Sequence, residues 1–467
     1  MQRWILTSGL AVTALGAAFL VPHSQDTGPL TPAPVRQATA PNAADSQPLG
    51  AGQRLSLSAV LDQGALLAGA GEDRFLVFEV SADAPSTGVD QLVHLAVVMD
   101  TSGSMSSAGK LSNARRAAQE MVDLLGPEDT FSLVTFDDRA DVVIPAQPVD
   151  DPASLQHRID TIQSGGGTNL HDGLRAGLRE AQTAHHTGVR RVVVLSDGHA
   201  NIGITDSDTL YREAGSLVQE GVTVSAMGLG LDYNEDLLAA MSDVGGGTYR
   251  FVDRPAALAE QLATELQQMS AVVAHQTELR IDLAEGVMLK QIYGYEANTS
   301  GARSTVFLGD LYGGQTRKIV ARVHVPDHSL GSVDVATARL HHMDAETERQ
   351  HATSATVQAL VTSDASVAQT SAVAAAQKMA TQARVGQLVD IAARSFAEGD
   401  LSSNQASMEA AIDLVATFNA DFEDSDMLKS LGDFEAQAAR FAKSAPSSAA
   451  GRRAVKQAKE GARAYAR

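Results

Sequence analysis

From Leu92 to Met99 the chain is almost unbrokenly apolar, and the run closes on Asp100-Thr101-Ser102-Gly103-Ser104. A short apolar run ended by small polar residues reads as a strand buried on both faces, as in a parallel sheet with helices packed on each side. Val192 to Leu195 is a second such run and closes on Ser196-Asp197-Gly198, while Phe131 to Phe136 and Val222 to Leu229 read as further strands. Between them Ala114, Ala118, Met121 and Leu125 fall on one helical face, and Leu170 to Ala184 is helix-like behind the glycine-rich turn Gly165-Gly166-Gly167-Thr168-Asn169. This alternation predicts an α/β domain over residues 91–273, with a doubly wound, mostly parallel, Rossmann-like sheet.

The flanks have a different period. Leu55 to Val60 and Phe75 to Val80 read as strands within residues 51–90. After the α/β domain, Leu279, Ile281 and Leu283 alternate with polar residues, as do Ile319, Ala321, Val323 and Val325, and Val333 and Val335 continue the pattern. A β-rich, sandwich-like module over 274–365 is therefore expected to share strands with 51–90, so that the α/β domain is inserted in it. From about Ser366 the chain becomes Ala-rich and helix-favouring, with turns near Gly399-Asp400, Glu423-Asp424 and Pro446. The segment Ile391 to Phe418 faintly resembles one tetratricopeptide-like hairpin, but a lone unit cannot build an array. A small helical bundle over 366–467 is expected, serving as packing scaffold or, alternatively, as a partner surface. In its last stretch Arg452, Arg453, Lys456, Lys459, Arg463 and Arg467 face only Glu460. That pattern reads as a solvated basic helix, with an anionic membrane or acidic partner as the alternative.

Candidate chemistry gathers at three loops. Asp100 stands at the carboxyl end of its predicted strand, where open α/β sheets bind ligands. Gly103 lets the chain turn tightly between Ser102 and Ser104, so both hydroxyls can converge with Asp100 behind them. The turn at Thr168 and the strand end at Asp197 complete the cluster. In order, spacing and flanking strands, Asp100, Ser102, Ser104, Thr168 and Asp197 resemble the metal-ion-dependent adhesion site of the von Willebrand factor type A domain, over roughly Gln91 to Met269. The resemblance is to bacterial exported members related to inter-α-trypsin-inhibitor heavy chains, and the turn Gly228 to Leu238 resembles theirs as well. Asp232 or Asn234 is expected to cap the helix after that turn.

The resemblance implies a non-catalytic binding or adhesion protein. Its hydroxyls would ligate a divalent metal ion, Mg²⁺ first and Mn²⁺ or Ca²⁺ as alternatives, with the carboxylates acting partly through water. Mg²⁺ takes six oxygens and releases water reluctantly, so neutral hydroxyls leave it electrophilic, with a position open to an Asp or Glu carboxylate of a protein partner. Two other readings compete. The loop could only brace the fold in a structural or envelope-assembly protein, or Ser102 could be a hydrolase nucleophile, which needs a base such as His171 or His199 within hydrogen-bond reach. No G-x-S-x-G, P-loop or H-E-x-x-H pattern supports an enzyme. Asp137-Asp138 reads as a solvated hairpin turn, and the pairs His185-His186 and His341-His342 as chance surface placements.

Composition narrows the setting. A chain of 467 residues exceeds one typical core. Its net charge of −20 argues against a nucleic-acid partner, because phosphate binding needs a basic face. The absence of cysteine excludes disulfides and thiolate-held zinc. Arg3 precedes an apolar stretch from Trp4 to Val21, which reads as a signal peptide or uncleaved signal anchor over 1–21 and so as export to the periplasm, cell surface or medium, with membrane attachment if it is retained. Residues 22–50 hold six of the fourteen prolines and read as a disordered linker.

Overall fold

The computed structural model describes residues 54–69, 71–84, 91–183, 188–218 and 220–467. The predicted signal segment, the linker over 22–50 and the pair His185-His186 lie outside the described residues. The chain opens with β1 (Leu55–Leu61), β2 (Ala65–Leu67) and β3 (Glu72–Ala82). It then builds β4 (Val93–Asp100), α1 (Lys110–Leu124), β5 (Thr130–Phe136), β6 (Ala140–Pro148), α2 (Pro152–Asp160) and α3 (Leu170–Gln182). The same domain continues through β7 (Val189–Ser196), α4 (Ser207–Val218), β8 (Val222–Leu229), α5 (Glu235–Val244), β9 (Gly246–Val252) and α6 (Leu258–Ser270). Seven strands follow: β10 (Val272–Leu283), β11 (Met288–Tyr293), β12 (Ala297–Ser300), β13 (Arg303–Tyr312), β14 (Thr316–Val325), β15 (Gly331–Asp344) and β16 (Gln350–Thr362). Helices α7 (Ala365–Thr370), α8 (Ala374–Glu398), α9 (Leu401–Phe422), α10 (Ser425–Lys443) and α11 (Ala449–Ala466) end the chain.

The central sheet runs β6-β5-β4-β7-β8-β9, parallel except for the β5–β6 pair. Strands β4, β5 and β8 are buried at every position, which explains why their sequences show no alternation. One face packs Met99, Leu133 and Leu195 of the sheet with Met121 of α1 and Leu262 of α6, and the other packs Val98 and Phe136 with Leu174 of α3 and Met241 of α5. The strand order reverses between β4 and β7, so their carboxyl ends flank the crevice where such sheets bind ligands.

Two further sheets, β1-β3-β14-β11 and β12-β13-β10-β15-β16-β2, each combine strands from before and after the central domain. Their inner faces share a core built on Leu57, Phe78, Ile281, Ile319, Leu340 and Val357. Helix α8 lies on the outer face of the smaller sheet, with Ala376, Ala380 and Ala383 against Val77, Val320 and Tyr293. Helices α8 to α11 pack around Val389, Phe396, Met408, Val415, Phe441 and Val455. The segment Ile391 to Phe418 spans the α8–α9 hairpin of this bundle, whose turn carries Gly399 at positive φ and Asp400 as helix cap.

The basic terminal helix is not solvated, as its charge pattern suggested. Helix α11 docks on the α5 edge of the central domain. Lys456 and Lys459 bond Glu235 at 3.2 and 3.0 Å, Lys459 also bonds Asp236, Arg453 bonds Asp253, and Arg467 bonds Asp243. The Lys456 ammonium sits 3.7 Å above the Tyr233 ring. Its partners lie about two hundred residues away in sequence, beyond any local pattern.

Arg191 ties the units together from inside. Its guanidinium bonds Glu265 of α6 at 2.8 Å, Asp310 of β13 at 2.9 Å and the Thr223 hydroxyl of β8 at 2.9 Å. All three charged groups are buried. Burial by itself would raise the Glu265 pKa, but Arg191 and the hydroxyls of Ser225 and Thr248 outweigh it and hold the carboxyl below its ordinary value. Nearby, Gly246 and Gly309 both take positive φ and meet backbone to backbone, where a Cβ on Gly309 would lie 2.1 Å from the Gly246 carbonyl oxygen.

His342 departs from its expected surface placement. It is 3% exposed and stacks on His351, with ring centroids 5.5 Å apart. Burial, aided by His351, pulls its pKa down from 6.5 to about 4.

Two outcomes follow from these buried charges. Arg191→Met strands two carboxylates without their cation and should lower unfolding stability by about 3–5 kcal/mol in denaturant titration; a loss under about 1 kcal/mol contradicts the account. For His342 the folded state favours the neutral ring, so the unfolded chain binds the extra proton between pH 6.5 and about 4. Stability is fully present above pH 6.5 and falls as the pH drops toward 4, by up to roughly 3 kcal/mol. Thermal melts of His342→Leu should show a flatter pH dependence in that window, and an unchanged slope counts against the assignment.

Candidate metal centre

Three loops at the carboxyl edge of the central sheet meet around Asp100. The first leaves β4 and turns into a short 3-10 segment, Gly103–Gly109, ahead of α1. The second is the glycine turn before α3, and the third follows β7. Backbone bonds stitch them together: Thr101 N–H to the Phe136 carbonyl at 2.8 Å, Gly165 N–H to Thr101 at 2.8 Å, Gly103 N–H to Gly166 at 3.1 Å, and Asn201 N–H to Thr168 at 3.0 Å.

Asp137 and Asp138 do form the turn between β5 and β6, but they are not merely solvated. The Asp137 carbonyl accepts from Asn169 N–H at 2.7 Å, and the Asp138 carboxylate accepts from Gly167 N–H at 2.6 Å. Asn169 caps α3, and the Asn201 side-chain oxygen accepts from Thr168 N–H at 2.8 Å. Of the two capping candidates after β8, Asn234 takes the role, accepting from Leu237 N–H at 3.1 Å.

The structure brings the five predicted residues to one place. Asp100 is fully buried; its Oδ1 accepts from Ser102 N–H at 2.8 Å and its Oδ2 from the Ser196 hydroxyl at 2.7 Å. Burial raises the Asp100 pKa, and the bonds from Ser102 and Ser196 oppose that rise. The Ser102 and Ser104 hydroxyls lie 3.0 Å apart, and Ser104 donates to Asp197 Oδ1 at 2.7 Å. Thr168 Oγ1 and Ser104 Oγ flank Gly198, at 3.4 and 3.8 Å from where its Cβ would stand. Asp100, Ser102, Thr168 and Asp197 are buried, while Ser104 opens to solvent.

Three hydroxyls and two carboxylates are hard oxygen donors suited to Mg²⁺, Mn²⁺ or Ca²⁺. Adjacent ligands of an octahedral Mg²⁺ stand about 3.0 Å apart when each metal–oxygen bond is about 2.1 Å. The Ser102–Ser104 separation fits that edge. Among the described residues no group of three or more His, Cys, Asp or Glu could hold a metal, so an ion here depends on the hydroxyls.

Sequence reading passed over two residues of this cluster. Ser196 holds Asp100 from the neighbouring strand, and Lys110 donates to Asp197 Oδ2 at 2.5 Å with its side chain 10% exposed. Ser196 sits beside Asp197 in the strand-end motif, which was a usable signal; Lys110 looks like an ordinary lysine at a helix start. The nucleophile reading gains no support. His171 faces Asp172 and His199 is exposed, and Ser102 Oγ is bonded to Ser104.

Comparison with known proteins bears on the domain and its fold. A family model described as von Willebrand factor type A domain matches residues 95–199. An uncharacterized protein of Synechocystis sp. is 28% identical over 298 residues, which span 60% of this chain and 70% of that one. Inter-alpha-trypsin inhibitor heavy chain H2 of Sus scrofa is 27% identical over 188 residues, 38% of this chain but only 20% of the relative. Among solved structures, a von Willebrand factor type A protein from Catenulispora acidiphila shares the fold with a TM-score of 0.67 at 19% identity, covering 86% of this chain and 91% of that one.

Ser196→Ala removes one of the two partners of a buried carboxylate. It should lower stability by about 1–3 kcal/mol in denaturant unfolding; no loss would mean that Asp100 does not rely on this bond.

Proposed function

We propose that this chain, which carries a von Willebrand factor type A domain, captures a protein partner through a divalent cation held by Asp100, Ser102, Ser104, Thr168 and Asp197. The observation that carries this reading is the 3.0 Å pair of serine hydroxyls, backed by two carboxylates and open to solvent on the Ser104 side. Asp197 orients the Ser104 hydroxyl through a hydrogen bond, Asp100 holds the Ser102 backbone N–H, and both supply charge from behind the hydroxyls. A bound cation would supply an electrophilic position that an Asp or Glu of the partner completes. The protein acts as a binder: among the described residues the Ser102 hydroxyl bonds Ser104 and the Ser104 hydroxyl bonds Asp197, an arrangement that suits ion coordination. Among the described residues no helix is long and apolar enough to cross a membrane. The apolar stretch from Trp4 to Val21 supports a site of action outside the cytoplasm.

The loop stitching also favours a second reading, in which the cluster only braces the fold. Titration calorimetry with Mg²⁺, Mn²⁺ and Ca²⁺ separates the two. The binding reading expects saturable one-site binding that Asp100→Ala and Thr168→Ala abolish, together with metal-dependent partner capture, while both variants stay folded. Partner capture that survives both substitutions refutes it. The bracing reading instead expects chelation to lower the melting temperature, with no metal-dependent partner.

A further inference from the structure

On the reading that a divalent cation binds this cluster, we infer that Lys110 couples metal affinity to the binding of an acidic ligand. Its Nζ lies 2.5 Å from Asp197 Oδ2, and the ion pair is shut away from solvent, with the lysine side chain 10% and the aspartate side chain 0% exposed. The turn after β8 closes over the amine. Gly230 takes a φ of +81° there, and a Cβ at that position would stand 3.3 Å from Lys110 Cε and 3.7 Å from Nζ. The ammonium is thus fixed against the candidate ligand set.

Its location is electrostatically unfavourable by itself. Lys110 is the first residue of α1, whose opening turn holds no acidic residue, and a cation at a helix N-terminus opposes the helix dipole. Burial of the amine adds desolvation. Asp197 is the group that offsets both, so the pair links the third loop to the start of α1.

The consequence lies in the charge balance of the cluster. Asp100 and Asp197 carry two negative charges, and Lys110 cancels one. A divalent ion added to this set leaves one positive charge in excess beside the buried Lys110–Asp197 pair, where uncompensated charge is costly. One carboxylate from outside brings the cluster to neutrality. Without Lys110 the two aspartates alone match the ion, and nothing further is required. Lys110 is therefore a positioning and specificity residue: it holds Asp197 Oδ2, leaves Oδ1 to Ser104, and transfers the last unit of charge to the partner. By linkage, metal and carboxylate then strengthen each other's binding equally.

The test is Mn²⁺ titration calorimetry of the full chain, with and without acetate as a minimal carboxylate, on wild type, Lys110→Met, Lys110→Arg and Asp100→Ala. Acetate should strengthen wild-type Mn²⁺ binding by about fivefold or more. Lys110→Met should bind Mn²⁺ about tenfold more tightly without acetate and show no acetate effect, and Lys110→Arg, which keeps the charge, should restore that effect. If circular dichroism shows Lys110→Met unfolded, Lys110→Gln takes its place with the same expectation. Equal Mn²⁺ affinity and equal acetate dependence in wild type and the neutral variant overturn the role of Lys110 and leave the metal site standing. No Mn²⁺ binding by wild type, the neutral variant or Asp100→Ala, with or without acetate, overturns the metal reading itself, and the role of Lys110 falls with it.

Discussion

The buried guanidinium of Arg191 is the constraint on which the assembly depends. One side chain from the central sheet bonds a carboxylate on the domain's last helix and another on the outer β module, with hydroxyls from β8 and β9 around them. Such a cluster adds little net stability over an apolar core of equal volume, because desolvating three charges offsets their attraction. What it supplies is specificity of arrangement. Any packing that separates the module from the sheet strands a buried charge, so the competing arrangements are the costly ones. The Gly246–Gly309 backbone contact confirms how closely the two parts meet.

Helix α11 applies the same principle at the surface. An acidic chain with net charge −20 places its terminal basic stripe against Glu235, Asp236, Asp243 and Asp253. The bundle thereby touches the central domain through α11 and the β module through α8. Inserted domain, β module and helices are braced against one another, and α11 meets the carboxyl edge of the sheet beside β8 and β9, at Tyr233, Glu235 and Asp253. That edge keeps its loops, which are held by backbone bonds and by buried Asp100.

Much of the fold was legible because its signals are local. Strands such as Leu92–Met99 and Val192–Leu195 are apolar on both faces and could be nothing else in an α/β alternation. Polar alternation marked β10 and β14 for the same reason. Strands β11, β12 and β13 were not picked out. Their polar and part-exposed residues, Lys290, Asn298 and Arg303 among them, give weak alternation, and their pairing rather than their propensity makes them strands. In the site, Asp100, Ser102, Ser104, Thr168 and Asp197 come from three separated motifs, and each motif carries its own turn chemistry. His342 misled because a histidine pair has no burial signature in sequence; only its place in β15 opposite His351 buries it.

The sequence by itself determined the kind of sheet, its helical layers, the loop motifs and the presence of β and helical flanks, since hydrophobic period and turn residues act over a few positions. Tertiary structure alone decided which charges meet. Arg191 with Asp310, Lys110 with Asp197 and α11 with α5 are contacts separated by 87 to 224 residues. Whether a charged side chain is solvated, buried with a partner or set against a ligand cluster depends on which distant element closes over it, and no local pattern encodes that.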